Sequence, residues 1–210
     1  MKLYYLPGSC SLASRIVLEE SGVAYQAIRV NPKDKKTENG QDYNSINPKG
    51  YVPAVELHGG QVICENSALL PFLGELNPEA HLLPPHGTME NYRVREWTAF
   101  VNTELHKNLS PLFRPTTTEA WVQNQHEVLK RRFTYANEQM GQGPYLTGAN
   151  FTVADAYLFV ILTWFDRLKM SLNEYPNLKA FFTRTLARPA VQKALAADGR
   201  LEDVQRFAVA

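Results

Sequence analysis

Between residues 77 and 87 the chain changes character. Asn77-Pro78 and Leu83-Pro84-Pro85-His86-Gly87 put three prolines and a glycine into a span that cannot continue a helix. Composition of this kind marks a boundary between domains. Before it, strand and helix signals alternate; after it, every signal is helical. The chain therefore reads as a mixed α/β unit over residues 1–80, a linker over 81–87 and an all-helical unit over 88–210.

In the first unit, residues 2–6 form an apolar strand and 11–21 an amphipathic helix ending at Gly22. Residues 25–30 alternate like a second strand, which Asn31-Pro32 breaks. A polar stretch carrying Lys33, Lys35 and Lys36 leads to a short helical piece near 41–46. The turn Asn47-Pro48-Lys49-Gly50 follows, then strands near 53–57 and 61–64 joined by His58-Gly59-Gly60. Glu65-Asn66-Ser67 opens a helix reaching about Leu76, with Pro71 expected to bend it. The order β-α-β-α-β-β-α predicts one small sheet with parallel and antiparallel pairs.

In the second unit, residues 89–113 predict one long helix closed by Pro111 and Pro115, and 118–140 another. Thr152-Val153-Ala154-Asp155 is a capping box. The helix it opens, through Phe165, is apolar on nearly all sides and belongs at the centre of a bundle, so Asp155 reads as a structural cap. Residues 175–187 and, after Arg188-Pro189, 190–197 complete the set. On the long helix Trp97, Phe100, Val101, Leu105 and Leu112 make one stripe, and Arg95, Ala99, Asn102 and His106 lie roughly opposite. His106 thus looks away from its own bundle, and matters only if that face meets the first unit.

A net charge of +1 leaves no electrostatic reason to expect nucleic acid as the partner. The two cysteines, Cys10 and Cys64, cannot make a disulfide framework. No export signal opens the chain, since Lys2 leads into only a few apolar residues before Pro7-Gly8. The apolar stretch from Phe151 to Phe165 is too short to span a bilayer. A cytoplasmic protein without a membrane partner is expected, and the sequons at Asn108 and Asn150 are chance matches. His81 and His86 lack a ligand set with workable spacing, so no metal is expected.

Three groups of residues can carry chemistry. Cys10 follows the first strand and the turn Pro7-Gly8-Ser9, at the start of a helix. Free amides and the helix dipole favour a thiolate there, although a lone cysteine is also an ordinary small core residue. Pro53 opens a strand without an N–H to give to the ladder; were Val52-Pro53 cis, the Val52 backbone would offer a docking edge to an extended peptide. Glu65 and Asn66, at a helix start, suit the two charges of an amino-acid head group, while Asn66 also reads as a plain helix cap. Cys64, at a strand end, reads as core packing.

Taken together, Met1-Lys2-Leu3-Tyr4-Tyr5, Pro7-Gly8-Ser9-Cys10-Ser11, Lys35-Lys36-Thr37, Asn47-Pro48-Lys49-Gly50, Val52-Pro53, Glu104-Leu105-His106-Lys107 and the run from Phe151 to Phe159 resemble the bacterial beta class of glutathione transferases. Cys10 with His106 is the class-specific part. The resemblance implies a thioredoxin-like domain with a mixed four-stranded sheet that binds glutathione, and an all-α domain that shapes the pocket for a hydrophobic electrophile. It also implies a homodimer with glutathione as co-substrate and no prosthetic group.

By the same resemblance Cys10 sits beside the glutathione sulfur and can form a mixed disulfide with it, with Ser11 as a further donor and His106 in a secondary role. Val52, before a cis Pro53, pairs with the glutathione backbone. Lys35 holds the glycine carboxylate, and Glu65 with Asn66 holds the γ-glutamyl end. Thr103, Glu104 and His106 line the groove between domains or subunits, Glu104 reaching the partner's ligand. Asn66 and Ala99 depart from the class pattern, with Asn102 a substitute for the latter; Arg15 is variable without clear consequence. Phe113, Trp164 and Leu168 would wall the electrophile pocket.

Two other readings remain. One is a glutaredoxin-like redox enzyme working through a Cys10–glutathione disulfide, by a one-cysteine route because no Cys-x-x-Cys pair exists. The other is a non-catalytic binder of apolar ligands.

Overall fold

The computed structural model describes residues 1–209. Strands β1 (Lys2–Tyr5), β2 (Gln26–Arg29), β3 (Ala54–Glu56) and β4 (Val62–Cys64) form one sheet in the order β2-β1-β3-β4. β1 and β2 are parallel, with Lys2 opposite Gln26, and helix α1 (Ser11–Ser21) supplies the crossover that parallel strands require. The β1–β3 and β3–β4 pairs are antiparallel. Alternation along β1 sends Leu3 and Tyr4 to opposite faces. Tyr4 joins Ile28, Val30, Tyr43 and Ala54 in a small core on one side, and Leu3 joins the main core on the other. The expected helix near 41–46 is a single 3-10 turn, Tyr43–Ser45.

The main core runs without interruption from the sheet into the helical unit. That unit follows α2 (Asn66–Glu75), which continues through Pro71, and comprises α3 (Met89–Phe100), α4 (Lys107–Leu109), α5 (Glu119–Met140), α6 (Val153–Leu162), α7 (Trp164–Leu168), α8 (Pro176–Leu186), α9 (Pro189–Ala197) and α10 (Leu201–Val209). The last of these lies beyond the helices expected from sequence. α1 packs against α2 on one side and against α6 and α9 on another. A helix so enclosed has no solvent face, so Ser11, Ser14 and Arg15 are buried along with Leu12, Ile16 and Val17. α2 meets the start of α6 at Gly74, where a Cβ would lie 2.8 Å from Val153 Cγ1.

Residues 81–87, between α2 and α3, are firmly held. Leu82 and Leu83 are buried, and the Val153 N–H donates to Leu82 O at 3.0 Å. Asn91 Nδ2 donates to Pro84 O at 2.6 Å. His81 and His86 are exposed.

The Thr152 capping box forms, and Asp155 is wholly buried. Its carboxylate accepts from Leu146 N–H and Thr152 N–H, both at 2.9 Å, and from the Thr152 hydroxyl at 2.6 Å. All ten residues of α6 are buried. No helix among the described residues is long and apolar enough to cross a membrane.

The span over residues 89–113 departs from the sequence expectation. It is not one regular helix: α3 passes into a π-helical turn, Val101–His106, then α4, then a 3-10 turn, Ser110–Phe113. The buried face is Val94, Thr98, Val101, Leu105 and Leu109, and Trp97, Phe100 and Leu112 are only partly covered. Val101 and Leu105 of the predicted stripe are buried, but Thr98 and Leu109 take the places expected of Trp97, Phe100 and Leu112. Thr98 takes the core position because its hydroxyl bonds back to Val94 O at 2.8 Å, which satisfies its one polar group. Trp97 and Phe100 instead cluster with Tyr135 of α5, ring centroids 5.3 to 5.8 Å apart.

Candidate active site at the domain junction

Cys10 stands where β1 hands over to α1, and the turn before it is held by the helical unit. Gly8 takes φ +69°, a conformation that favours glycine. Its N–H donates to Asp198 Oδ2 at 3.1 Å, and its carbonyl accepts from Trp164 Nε1 at 3.2 Å and Arg167 Nη1 at 3.4 Å. From the other side Asn66 Nδ2 donates to the Cys10 carbonyl at 3.1 Å, and Ser14 Oγ donates to Asn66 Oδ1 at 3.3 Å.

A cavity of about 280 Å³ opens beside the sulfur, lined among others by Cys10, Lys35, Tyr51, Val52, His106 and Trp164. Two larger surface hollows, of about 580 and 660 Å³, lie at the β1–β2 end of the sheet and along the linker, and neither contains a cysteine. Four of the expected site residues thus share one cavity. The Val52–Pro53 bond is cis, and Cys10 Sγ donates to the Val52 carbonyl at 3.4 Å. Lys35 Nζ donates to Gly50 O at 3.0 Å, which leaves protons on the ammonium for an anion. Glu65, just before α2, adopts φ +71°, a sparsely populated region for a side-chain-bearing residue. Its carboxylate is exposed, 3.0 Å from Lys49 Nζ.

The remaining expectations change. Cys10 is not poised as a thiolate: burial pushes its thiol up to about 12, outweighing the helix-start amides, and Glu65 adds to the rise. Ser11 is fully buried, its hydroxyl donating to Leu6 O at 3.2 Å and accepting from Leu6 N–H at 3.1 Å. That hydroxyl braces the turn and does not line the cavity. The Asn66 side chain is buried between α1 and α2, so α2's first amides are what it leaves to a ligand. Thr103 is exposed, with its hydroxyl bonded back to Ala99 O, and Glu104 pairs with Arg132 at 2.7 Å; neither lines the cavity.

His106 does not look away from its own bundle. The π turn gives each residue a smaller rotation than an α-helix would, and Nδ1 lies 2.5 Å from the hydroxyl of Tyr157, a fully buried residue of α6. Trp164 meets the imidazole edge-on, centroids 5.0 Å apart. Burial, with help from Lys107, pulls its pKa down to about 4, so the ring is neutral at pH 7. Asn102 Oδ1 accepts from the same hydroxyl, Tyr157 Oη, at 3.0 Å.

Two residues escaped the sequence reading. Patterning marks Tyr157 only as part of an apolar helix, yet its hydroxyl is the partner of His106. Arg15 is 3% exposed, lies over the Tyr5 ring at 4.0 Å and sits 3.3 Å from Asp198. A lone charge inside the otherwise small and apolar run Leu12–Leu18 was the available signal.

His106 and Asp155 also oppose each other in their effect on stability. Burial raises Asp155 from 3.8 to about 6, so the native state binds more protons than the unfolded chain between those values, and stability falls as pH rises. His106, lowered from 6.5 to about 4, has the reverse sign: its contribution is lost as pH falls through that window. Relative to wild type, Asp155→Asn is expected to gain stability as pH rises from 4 to 6, and His106→Gln to lose it. Urea midpoints at four pH values check this, and curves parallel to wild type would refute it.

Both halves of the chain match family models: residues 8–76 the glutathione S-transferase N-terminal domain and residues 100–189 the C-terminal domain. Glutathione S-transferase GstA of Escherichia coli O157:H7 is 41% identical over 199 residues, 95% of this chain and 99% of that one. Among solved structures, a sphingomonad glutathione S-transferase complexed with glutathione superposes with a TM-score of 0.92 at 36% identity, covering 95% of this chain and 99% of that one. The bacterial beta-class glutathione S-transferase of Sphingomonas chungbukensis does so with a TM-score of 0.91 at 37% identity and the same coverage. Sequence, fold and the cysteine at the strand–helix junction converge, and the chain belongs to the bacterial beta class of the glutathione S-transferase family.

Proposed function

We propose that glutathione lies extended along the rim of the first unit with its sulfur beside Cys10, and that the thiol is transferred there to hydrophobic electrophiles. The observation that carries this reading is the single cavity shared by Cys10, Lys35, Val52 and His106. Lys35 meets the glycine carboxylate, the strand edge at Val52 and Pro53 meets the peptide, and Glu65 with the first amides of α2 meets the γ-glutamyl end. The thiol proton passes to His106 while the electron pair stays on sulfur. Because Cys10 is held protonated, its S–H donates to that thiolate. The sulfur then attacks an electrophilic carbon, and the leaving group departs with the bonding pair. Trp164, Phe113 and Leu168 wall the acceptor side.

Thiol–disulfide exchange is the proposed side activity. The Cys10 sulfur attacks a glutathione mixed disulfide, the S–S bond breaks, and the Cys10 proton leaves with the departing thiol. A second glutathione thiolate then releases Cys10 as oxidised glutathione forms. A homodimer is the proposed assembly: Met89 and Tyr92, 65% and 53% exposed, and the cluster of Trp97, Phe100 and Tyr135 make an apolar face suited to a second copy. Thr103 and the Glu104–Arg132 pair would lie near it.

Titration calorimetry with glutathione tests the binding mode. Wild type is expected to bind and Lys35→Ala to bind about tenfold more weakly, since a charge-assisted hydrogen bond is lost. Absence of heat with the wild-type protein would overturn the reading.

A further inference from the structure

Tyr157 and Asn102 have no part in the binding or transfer steps above, yet they form a chain that ends on His106. Tyr157 Oη donates its proton to Asn102 Oδ1 at 3.0 Å. A phenol has one proton to give, and burial raises Tyr157 well above its ordinary value, so that proton stays on oxygen. Toward His106, 2.5 Å away, the oxygen can then only accept. The hydrogen in that contact belongs to Nδ1. With the ring neutral, Nε2 carries the lone pair, and His106 lines the cavity that holds Cys10.

We propose that Asn102 and Tyr157 are positioning residues that lock His106 in its Nδ1–H tautomer, so that Nε2 is the atom that accepts the thiol proton. This rests on the role given to His106 above and adds which nitrogen acts and what selects it. The S–H bond breaks, the Nε2–H bond forms, and the electron pair remains on sulfur. The imidazolium keeps its Nδ1–H on Tyr157 Oη throughout. The π turn contributes by setting Asn102 and His106, four residues apart, against the same phenol.

Nitrogen-15 shifts of the His106 ring in the whole protein test it. Nε2 is expected at the position of an unprotonated ring nitrogen and Nδ1 at that of a protonated one. In Tyr157→Phe the two positions should move toward each other, and kcat for transfer should fall about tenfold with KM for glutathione little changed. Asn102→Leu should act in the same direction, and it carries the test should Tyr157→Phe not fold. A protonated Nε2 in the wild-type protein would overturn the proposal, as would folded variants with unaltered shifts and kcat. A His106→Ala enzyme with wild-type kcat would overturn the role of His106 itself, and this proposal with it. A slow His106→Ala enzyme beside an unaffected Tyr157→Phe enzyme would sink the tautomer lock alone.

Discussion

Cys10→Ser is expected to lose glutathione-dependent disulfide exchange entirely while keeping most of its transferase turnover. The hydroxyl still donates a hydrogen bond toward the glutathione thiolate but cannot form a disulfide. Cys10→Ala removes the donor as well, and one such bond to a charged group corresponds to about 1.5–3 kcal/mol, a tenfold or greater drop in transfer rate. The free enzyme should also react slowly with iodoacetamide at pH 7 and faster as pH rises, because burial holds the thiol up to about 12. Parallel assays with a halonitroarene and a glutathione mixed disulfide separate the two chemistries. Disulfide exchange surviving in Cys10→Ser would remove the sulfur from the redox route, and fast alkylation at neutral pH would contradict the protonated resting state.

Asp198→Ala is expected to lower unfolding free energy by about 3–5 kcal/mol, the usual consequence of leaving one member of a buried ion pair alone. Arg15 and Asp198 are almost inaccessible, with side-chain exposures of 3% and 0%. Their geometry is not ideal: Arg15 Nε and Nη2 and Asp198 Oδ1 lack hydrogen-bond partners, so attraction across 3.3 Å is what offsets two desolvated charges. Burial outweighs Arg15 at Asp198 and raises its pKa. The carboxylate also holds the Gly8 N–H. Arg15→Leu combined with Asp198→Asn should recover most of the loss, since no charge is then buried and the amide oxygen still accepts from Gly8. Urea denaturation of the three proteins checks the series; a double variant as unstable as Asp198→Ala would show that the charge pair is not the cause.

Local chemistry made much of the fold readable. The turn at Asn47-Pro48-Lys49-Gly50 and the Thr152–Asp155 cap are short-range signals, and both stand where the sequence put them. That Cys10, Lys35, Val52 and His106 would line one cavity was also legible, through the resemblance more than through spacing. What could not be read was long-range or depended on a small change of helical phase. An α-helical wheel cannot anticipate a π turn, so His106 was turned outward and Tyr157 missed. Trp97 and Phe100 carry far more apolar surface than Thr98, although Thr98 is the buried one. The sulfur's environment was misjudged because dipole and amides are visible from sequence, whereas the desolvation that overrides them is set by packing.

The turn carrying Cys10 is fastened at one glycine by three side chains from the far half of the molecule, Trp164, Arg167 and Asp198. Attaching a foreign helical half to this thioredoxin-like half would untether that turn unless the three anchors travelled with the graft. The halves are thus separable by eye but not interchangeable as modules, and acceptor specificity is more safely altered by rebuilding the cavity wall than by exchanging the whole helical part.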